Sequence, residues 1–124
     1  MSLAGKALGR RGETAAARYL EVCGYTLIER NYRTRHFEID IIARQKDTLR
    51  FIEVKTRVSL SKGLPRESVG SEKQRKIIMG ASHYVRANRI TNQRIRFDVV
   101  EVVYPGGPSD TPEITLIRDA FQGI

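Results

Sequence analysis

The sequence is poor in the residues that build thiolate sites and catalytic triads. Its 124 residues include one cysteine, Cys23, so no disulfide can form within the chain and a cysteine-based zinc site is unsupported. Cys23 falls on the apolar side of a helical pattern, which favours a buried, reduced thiol. The two histidines, His36 and His83, have no evident serine and acid partners, and we expect both on the surface. These shortages disfavour zinc-thiolate proteins and Ser-His-Asp hydrolases.

Long apolar runs are also missing. No stretch approaches the roughly 18 apolar residues that a membrane span requires, and no segment resembles a signal peptide. Repeats and low-complexity tracts are absent from the sequence as well. With 40% hydrophobic and 29% charged residues, the composition is that of an ordinary globular protein. We therefore expect one domain over residues 1–124, located in the cytoplasm and without membrane association.

Acidic residues are in deficit, with 14 against 22 basic residues and a net charge of +8. Sixteen of the basic residues are arginines, whose planar guanidinium group grips phosphate through two hydrogen bonds. A positive field of this kind favours a polyanionic partner, most simply nucleic acid. The charge by itself is equally compatible with ribosome association or nonspecific adhesion.

Apolar periodicity predicts the element order α-β-β-β-α-β-β. A stripe of Ala16, Ala17 and Leu20 marks the first helix, and Ser71 followed by Gln74 fits a capping box that starts the second. The predicted ranges are residues 9–23 for the first helix, then 25–32, 37–42 and 49–57 for strands, 71–88 for the second helix, and 95–104 and 113–117 for strands. Helices that bracket a run of strands predict an α/β fold with a mixed sheet flanked by helices.

Two predicted strands carry acidic residues within apolar runs, where burying a charge is costly. If the hairpin turn between them centres on residues 46–47, Asp40 lies opposite Glu53, and Glu38 lies opposite Lys55. All four side chains then project from one face of the sheet.

This pattern has two interpretations. Directly opposed carboxylates have Cβ atoms roughly 5 Å apart and repel each other when bare, so Asp40 and Glu53 would suit a shared hard cation such as Mg²⁺. Alternatively, Glu38 and Lys55 form a cross-strand ion pair while Asp40 and Glu53 are solvated surface charges.

The two helices each carry a polar residue on the inward stripe. Glu13 precedes Ala16, Ala17 and Leu20 at helical spacing, so it points toward the sheet and could supply a third carboxylate. Its alternative role is favourable interaction with the helix macrodipole near the N-terminus. Gln74 faces inward in the same way and could orient a water molecule or support Lys55, or it could simply cap its helix.

Four segments together carry a resemblance to a known family. They are Gly12-Glu13-x-x-Ala16, Arg30-Asn31-Tyr32-Arg33, Glu38-Ile39-Asp40-Ile41-Ile42-Ala43 and Phe51-Ile52-Glu53-Val54-Lys55-Thr56-Arg57. Over residues 9–100 the chain resembles the YraN-like family of predicted endonucleases. That family is similar to archaeal Holliday-junction resolvases and belongs with the PD-(D/E)xK nucleases, so the resemblance implies a restriction-endonuclease-like fold. Phe37 is a departure, because the family usually has glycine there, and its ring could narrow the approach of a substrate.

The resemblance implies a metal-dependent endonuclease that hydrolyses phosphodiester bonds in nucleic acid, with DNA, including branched DNA, as the favoured substrate. Asp40 and the Glu53-Val54-Lys55 element match the family motif, and Glu13 matches its first-helix glutamate, while Gln74 matches loosely. The implied ligands of Mg²⁺ or Mn²⁺ are Asp40, Glu53 and Glu13, and the further catalytic residues are Lys55 and Gln74. The implied nucleic-acid contacts are Arg30, Arg33, Arg35, Arg57, Lys73 and Lys76.

Three points stay open at the level of sequence. The same fold could bind nucleic acid without turnover, or the basic surface could meet an acidic protein partner. A homodimer would suit cleavage of two strands, although no segment marks an interface. The polar stretch 58–70 could close over a substrate or serve only as a connector.

Overall fold

The computed structural model describes residues 3–58, 69–107 and 109–123. Its elements are α1 (Leu3–Val22), β1 (Thr26–Arg33), β2 (Glu38–Gln45), β3 (Thr48–Arg57), α2 (Ser71–Ala87), β4 (Arg94–Val103) and β5 (Glu113–Phe121). The predicted order α-β-β-β-α-β-β and the mixed α/β fold are confirmed. Within these described ranges, no helix has the length and apolar character needed to cross a membrane.

The five strands form one sheet in the order β1-β2-β3-β4-β5. Neighbouring strands are antiparallel except β3 and β4, which are parallel and are joined by the segment that contains α2. Because side chains alternate along a strand, the sheet supplies two cores. On one face Val54 packs in a cluster with Leu20 of α1, and on the other Phe51 packs in a cluster with Ile77 of α2.

The hairpin between β2 and β3 has the predicted register. Backbone partners run from Gln45–Thr48 to Ile41–Ile52, which places the turn at Lys46 and Asp47. Lys46 adopts a φ of 57°, in the left-handed region that two-residue hairpin turns use.

Three predicted boundaries are wrong, and one of them is the end of β2, which lies at Gln45 instead of residue 42. Helix α1 begins at Leu3 instead of near Gly9, because Ala4, Lys6 and Leu8 favour helix strongly enough to tolerate the intervening glycine. Strand β5 continues past Ile117 to Phe121, where polar residues interrupt the apolar pattern. Asp119 takes a φ of 52° beside a register shift in the β4–β5 ladder, and Phe121 beyond it stacks on Phe97 at 5.1 Å between ring centres.

The predicted capping box at α2 is also wrong. The N-cap is Gly70, no side chain caps the helix, and Ser71 is already the first helical residue. Gln74 instead donates a hydrogen bond from Nε2 to the carbonyl oxygen of Val69 at 2.9 Å. The preceding stretch, residues 59–68, lies outside the described residues, and with it most of the segment 58–70 that was expected to close over a substrate or connect.

Candidate active site

The sheet opens between β2 and its central strand, β3, at Asp40. The β2–β3 ladder ends at the Ile41–Ile52 pair, while β2 continues to pair with β1 and β3 continues to pair with β4 as far as Arg57. At the opening, the Val54 backbone N–H donates to Oδ2 of Asp40 at 2.8 Å. A side chain of β2 thus satisfies a backbone group of β3 where the regular ladder has stopped.

Glu53 lies on β3 beside this opening and is 4% exposed. Its Oε2 atom is 3.3 Å from Nζ of Lys55 and 3.5 Å from Nζ of Lys73, in the first turn of α2. A buried carboxylate requires such compensation, because removing its charge from water is costly. The expectation that Asp40 and Glu53 are both solvated surface charges is therefore wrong for Glu53.

The Asp40 carboxyl group has a strongly perturbed acidity. The pKa of Asp40 is raised to about 8, mainly by burial and then by the nearby charge of Glu53 and a hydrogen bond to it, with a smaller increase from the charge of Glu13. The Val54 N–H acts in the opposite direction. Without a cation, Asp40 therefore holds a proton at neutral pH and can donate it in a hydrogen bond to Glu53.

Glu13 reaches the same region from α1. Gly12 allows this close approach, since a Cβ atom at that position would collide with the Thr56 side chain on β3. Burial raises the pKa of Glu13, while the Arg30 charge lowers it and the Glu38 charge raises it. The charge of Glu38 therefore acts on Glu13, and the charge of Glu13 acts in turn on Asp40.

The side chains that could coordinate a metal ion determine which ion the site could bind. In residues 3–58, 69–107 and 109–123, no three acidic, histidine or cysteine side chains form a group arranged to hold a metal ion. Asp40 and Glu53 interact directly, whereas Glu13 acts on Asp40 only through its charge. Carboxylate oxygens are the donors that Mg²⁺ prefers, and Mg²⁺ commonly retains several waters while binding one or two carboxylates. The pair Asp40 and Glu53 fits such an ion, with Glu13 available through water.

Glu38 does not lie where the register predicted. Its backbone partner is Arg33 on β1, and Nη2 of Arg33 is 3.4 Å from Oε1 of Glu38. The predicted juxtaposition of Glu38 with Lys55 is wrong, because β2 and β3 stop pairing before that level. Lys55 instead pairs in register with Glu101 on β4.

A basic cleft adjoins the carboxylates. It has a volume of about 300 Å³ between the β1–β2 turn and α2, and its basic residues are Arg33, Arg35, Lys73 and Lys76. Lys73 connects the cleft to the acidic pair through its contact with Glu53. Four of the six predicted nucleic-acid contacts therefore share one surface.

The remaining predicted residues lie elsewhere. Arg30 donates from Nη2 to Oγ1 of Thr14 on α1 at 3.3 Å, and its charge lowers the pKa of Glu13. Arg57 is mostly buried, with Nε 3.1 Å from Oε1 of Glu101, which differs from the exposed phosphate contact that was expected. Gln74 binds the Val69 carbonyl at the start of α2, which fits a structural role.

Phe37 and the histidines complete the surroundings. Phe37 lines the basic cleft and packs against α2 at Gly80, where a Cβ atom would lie 3.0 Å from Cβ of Phe37. His36 is exposed as predicted, and so is His83, but Nδ1 of His83 has a partner in the Tyr32 hydroxyl group at 2.7 Å. Cys23 is only partly buried, in contrast to the buried thiol expected.

Sequence reasoning missed Glu101. This residue is 1% exposed on β4, it pairs with Arg57, and its burial raises its pKa. It stands inside the β-branched run of β4, so the rule that selected Asp40 and Glu53, a charge within an apolar strand, would also have found it.

Similarity to other proteins is extensive. The family described as "Uncharacterised protein family UPF0102" matches residues 12–102. A UPF0102 protein of Desulforapulum autotrophicum is 49% identical over 115 residues, which are 93% of each chain. One of Rhodococcus opacus is 46% identical over 93% of this chain and 96% of its own, and one of Desulfosudis oleivorans is 50% identical over 92% and 89%. The matched region includes every carboxylate of the candidate site, and the chain belongs to the family UPF0102.

Proposed function

We propose that this protein is a metal-dependent endonuclease that hydrolyses phosphodiester bonds in nucleic acid, with DNA as its substrate in the cytoplasm. The observation that carries the proposal is the contact between Asp40 and Glu53 at the opening of the sheet. Two carboxyl groups held together suit a divalent cation. Lys55 and Lys73, which contact Glu53, add positive charge where a phosphate could bind.

Each side chain has a role in this proposal. Asp40 and Glu53 would hold Mg²⁺ or Mn²⁺, with Glu13 as the neighbouring carboxylate that could assist them. Bound there, the cation would supply Lewis-acid chemistry, lowering the pKa of water and neutralising phosphate charge. Lys55, oriented by its 3.3 Å contact with Glu53, stabilises negative charge that develops at the phosphate.

The basic cleft supplies the substrate contacts. Arg33, Arg35, Lys73 and Lys76 sit beside the acidic pair, where they can neutralise phosphates on either side of the scissile bond. The net charge of +8 adds long-range attraction for a polyanion. A homodimer would suit cleavage of both strands of a duplex or of a branched junction.

The test is a cleavage assay with Mg²⁺ and with Mn²⁺ on duplex, single-stranded and branched DNA, and on RNA. The wild-type protein should cleave at least one of these only when the cation is present. The variant Asp40→Asn should lose that activity, while Asp47→Asn, an exposed aspartate of the hairpin turn, should retain it. Cleavage by neither protein under any of these conditions would remove the nuclease role.

A second candidate is a nucleic-acid-binding protein of the same fold without turnover. The observation that favours it is that the described residues contain no group of three potential ligands arranged around one point. This candidate predicts salt-dependent binding with no cation-dependent cleavage of any form. Absence of binding at low salt would instead favour an acidic protein partner.

A further inference from the structure

A groove lies along α1, on a side that adjoins the one carrying Glu13. It has a volume of about 490 Å³ and runs between α1 and the connection from β4 to β5. Its lining includes Arg10, Arg11, Thr14, Arg18, Tyr104 and Asp110. The remaining lining residues on α1 are alanines, so the floor is shallow and lets a ligand approach the helix closely.

The groove carries unbalanced positive charge. In the part of the chain that the structure describes, Arg10, Arg11 and Arg18 form no ion pair. The Arg11 guanidinium carbon lies 5.6 Å from the centre of the Tyr104 ring, an arrangement that orients the group without using its N–H donors. The one acidic lining residue, Asp110, lies against Gly106 of its own turn. Three arginines therefore face the groove with a single carboxylate to oppose them.

The spacing of the charges indicates an extended ligand. Arg10, Thr14 and Arg18 follow one another at intervals of four residues, so they line one face of α1. The rise of ~1.5 Å per residue separates the first and last arginine by ~12 Å along the helix axis. Double-stranded DNA carries a charge for every ~1.7 Å of its axis, so a segment of that length offers several phosphates.

The groove also borders the candidate active site through one hydrogen bond. Thr14 lines the groove and its Oγ1 accepts the 3.3 Å hydrogen bond from Arg30, whose charge lowers the pKa of Glu13. The groove and the carboxylates thus occupy adjoining sides of the same helix. A nucleic acid bound at the carboxylates can continue past Arg30 and along α1.

We propose that this groove binds the phosphate backbone of duplex DNA on the flank of the segment held at Asp40 and Glu53. The assignment rests on the proposed function for its substrate, but the contact itself needs neither the cation nor hydrolysis. The arginines of the groove contribute affinity and leave the chemical step to the residues already described.

Binding measured without hydrolysis tests the groove separately from catalysis. Fluorescence anisotropy of a labelled duplex is recorded with the full-length protein in EDTA over a range of salt concentrations. The test variant carries Arg10→Gln with Arg18→Gln. The matched control carries Arg86→Gln with Arg89→Gln. It removes the same charge from two exposed arginines, one in the last turn of α2 and one just after the helix, on the opposite face of the sheet. Thermal unfolding of both variants checks that they are folded.

The groove variant should bind about tenfold more weakly at low salt, and the slope of log K against log salt should shrink by about two. The control should change affinity by less than about threefold, as expected for loss of net charge alone. An unchanged affinity of the groove variant, or an equal loss in the control, would overturn the assignment. A further outcome is that the groove variant binds more weakly than the control while the wild-type protein never cleaves DNA. That result would support the groove and contradict the nuclease proposal.

Discussion

The Asp40 carboxyl group accepts a hydrogen bond from the backbone N–H of Val54 at 2.8 Å, at the level where β2 and β3 cease to pair. Asp40 thereby has a structural role as well as its place in the acidic pair. Its removal by alanine would leave the Val54 N–H without its partner, at a cost of about 1–3 kcal/mol if no water replaces it. Asparagine retains a carbonyl acceptor, and it is therefore the informative substitution at this position.

The acidity of Asp40 predicts how stability depends on pH in the absence of divalent cations. The pKa of Asp40 is raised to about 8 in the folded protein, so the folded state holds a proton that the unfolded state releases above its ordinary pKa. The contribution of Asp40 to stability is therefore present below about pH 4 and is lost as the pH rises through about 8. Asp40→Asn cannot ionise and should escape this loss.

Urea unfolding in EDTA measures the effect. Between about pH 5 and pH 9, wild type should lose about 1–3 kcal/mol of unfolding free energy relative to Asp40→Asn. Asp47→Asn should follow wild type, since that side chain is exposed in the turn. Parallel pH profiles for wild type and Asp40→Asn would show that Asp40 ionises freely.

Addition of Mg²⁺ or Mn²⁺ should stabilise the wild-type protein. A ligand that binds only the folded state raises the free energy of unfolding by about 2.7 kcal/mol at a hundred times its Kd. Glu53→Gln removes one of the two adjoining carboxylates and should abolish most of this gain. Glu72→Gln, an exposed glutamate in the first turn of α2, should leave the gain intact. Melting temperatures with and without the cation provide the readout, and an equal shift in Glu53→Gln would place the ion elsewhere.

Glu101 should contribute strongly to stability, although the sequence analysis did not select it as a site residue. It is buried, and its Oε1 is 3.1 Å from Nε of Arg57. Truncation of one partner of a buried ion pair leaves the other charge uncompensated, at a cost of about 3–5 kcal/mol. We expect Glu101→Ala to lose an amount in that range by urea unfolding, and Glu113→Ala, at the exposed start of β5, to lose little. Equal small losses would mean that solvent reaches Arg57 readily.

Phe37 and Gly80 should be energetically coupled. A Cβ atom on Gly80 would lie 3.0 Å from Cβ of Phe37 and 3.3 Å from Cδ1 of Ile39. In the wild-type background, this crowding should cancel the gain in unfolding free energy of about 0.5–1 kcal/mol that replacing a helical glycine with alanine normally gives. Gly80→Ala should therefore change stability little. In a Phe37→Gly background that gain should reappear.

A double-mutant cycle by urea unfolding measures this coupling, with an expected interaction energy of about 1 kcal/mol. Gly9→Ala serves as the control, because a Cβ atom there would have no neighbour within 4 Å. Additive effects of Gly80→Ala and Phe37→Gly would mean that α2 shifts to make room.

Local sequence patterns predicted the elements and the hairpin register because they depend on nearest neighbours. The turn at residues 46–47 and the inward stripes of both helices follow from periodicity alone. The opening of the sheet could not be predicted that way. Extrapolating the register beyond Ile41 placed Glu38 against Lys55, whereas the strands separate there and Glu38 pairs with Arg33.

Contacts between elements that are distant in the chain also could not be predicted from local sequence patterns. Lys73 approaches Glu53 only because α2 packs its first turn near the end of β3, and Arg57 turns to Glu101 because β3 and β4 are parallel. No pattern within either segment specifies such partners. A charged residue within an apolar strand can be predicted to need a compensating partner. Which residue becomes that partner depends on how the helices and strands pack.

The central claim is that the Asp40–Glu53 pair binds a divalent cation that enables phosphodiester hydrolysis. Its most direct measurement is the initial rate of DNA cleavage as Mn²⁺ is titrated, for wild type and Asp40→Asn side by side. The account predicts a rate that saturates with Mn²⁺ in wild type and falls by at least about a hundredfold in the variant. Equal rates in the two proteins at every Mn²⁺ concentration would contradict it.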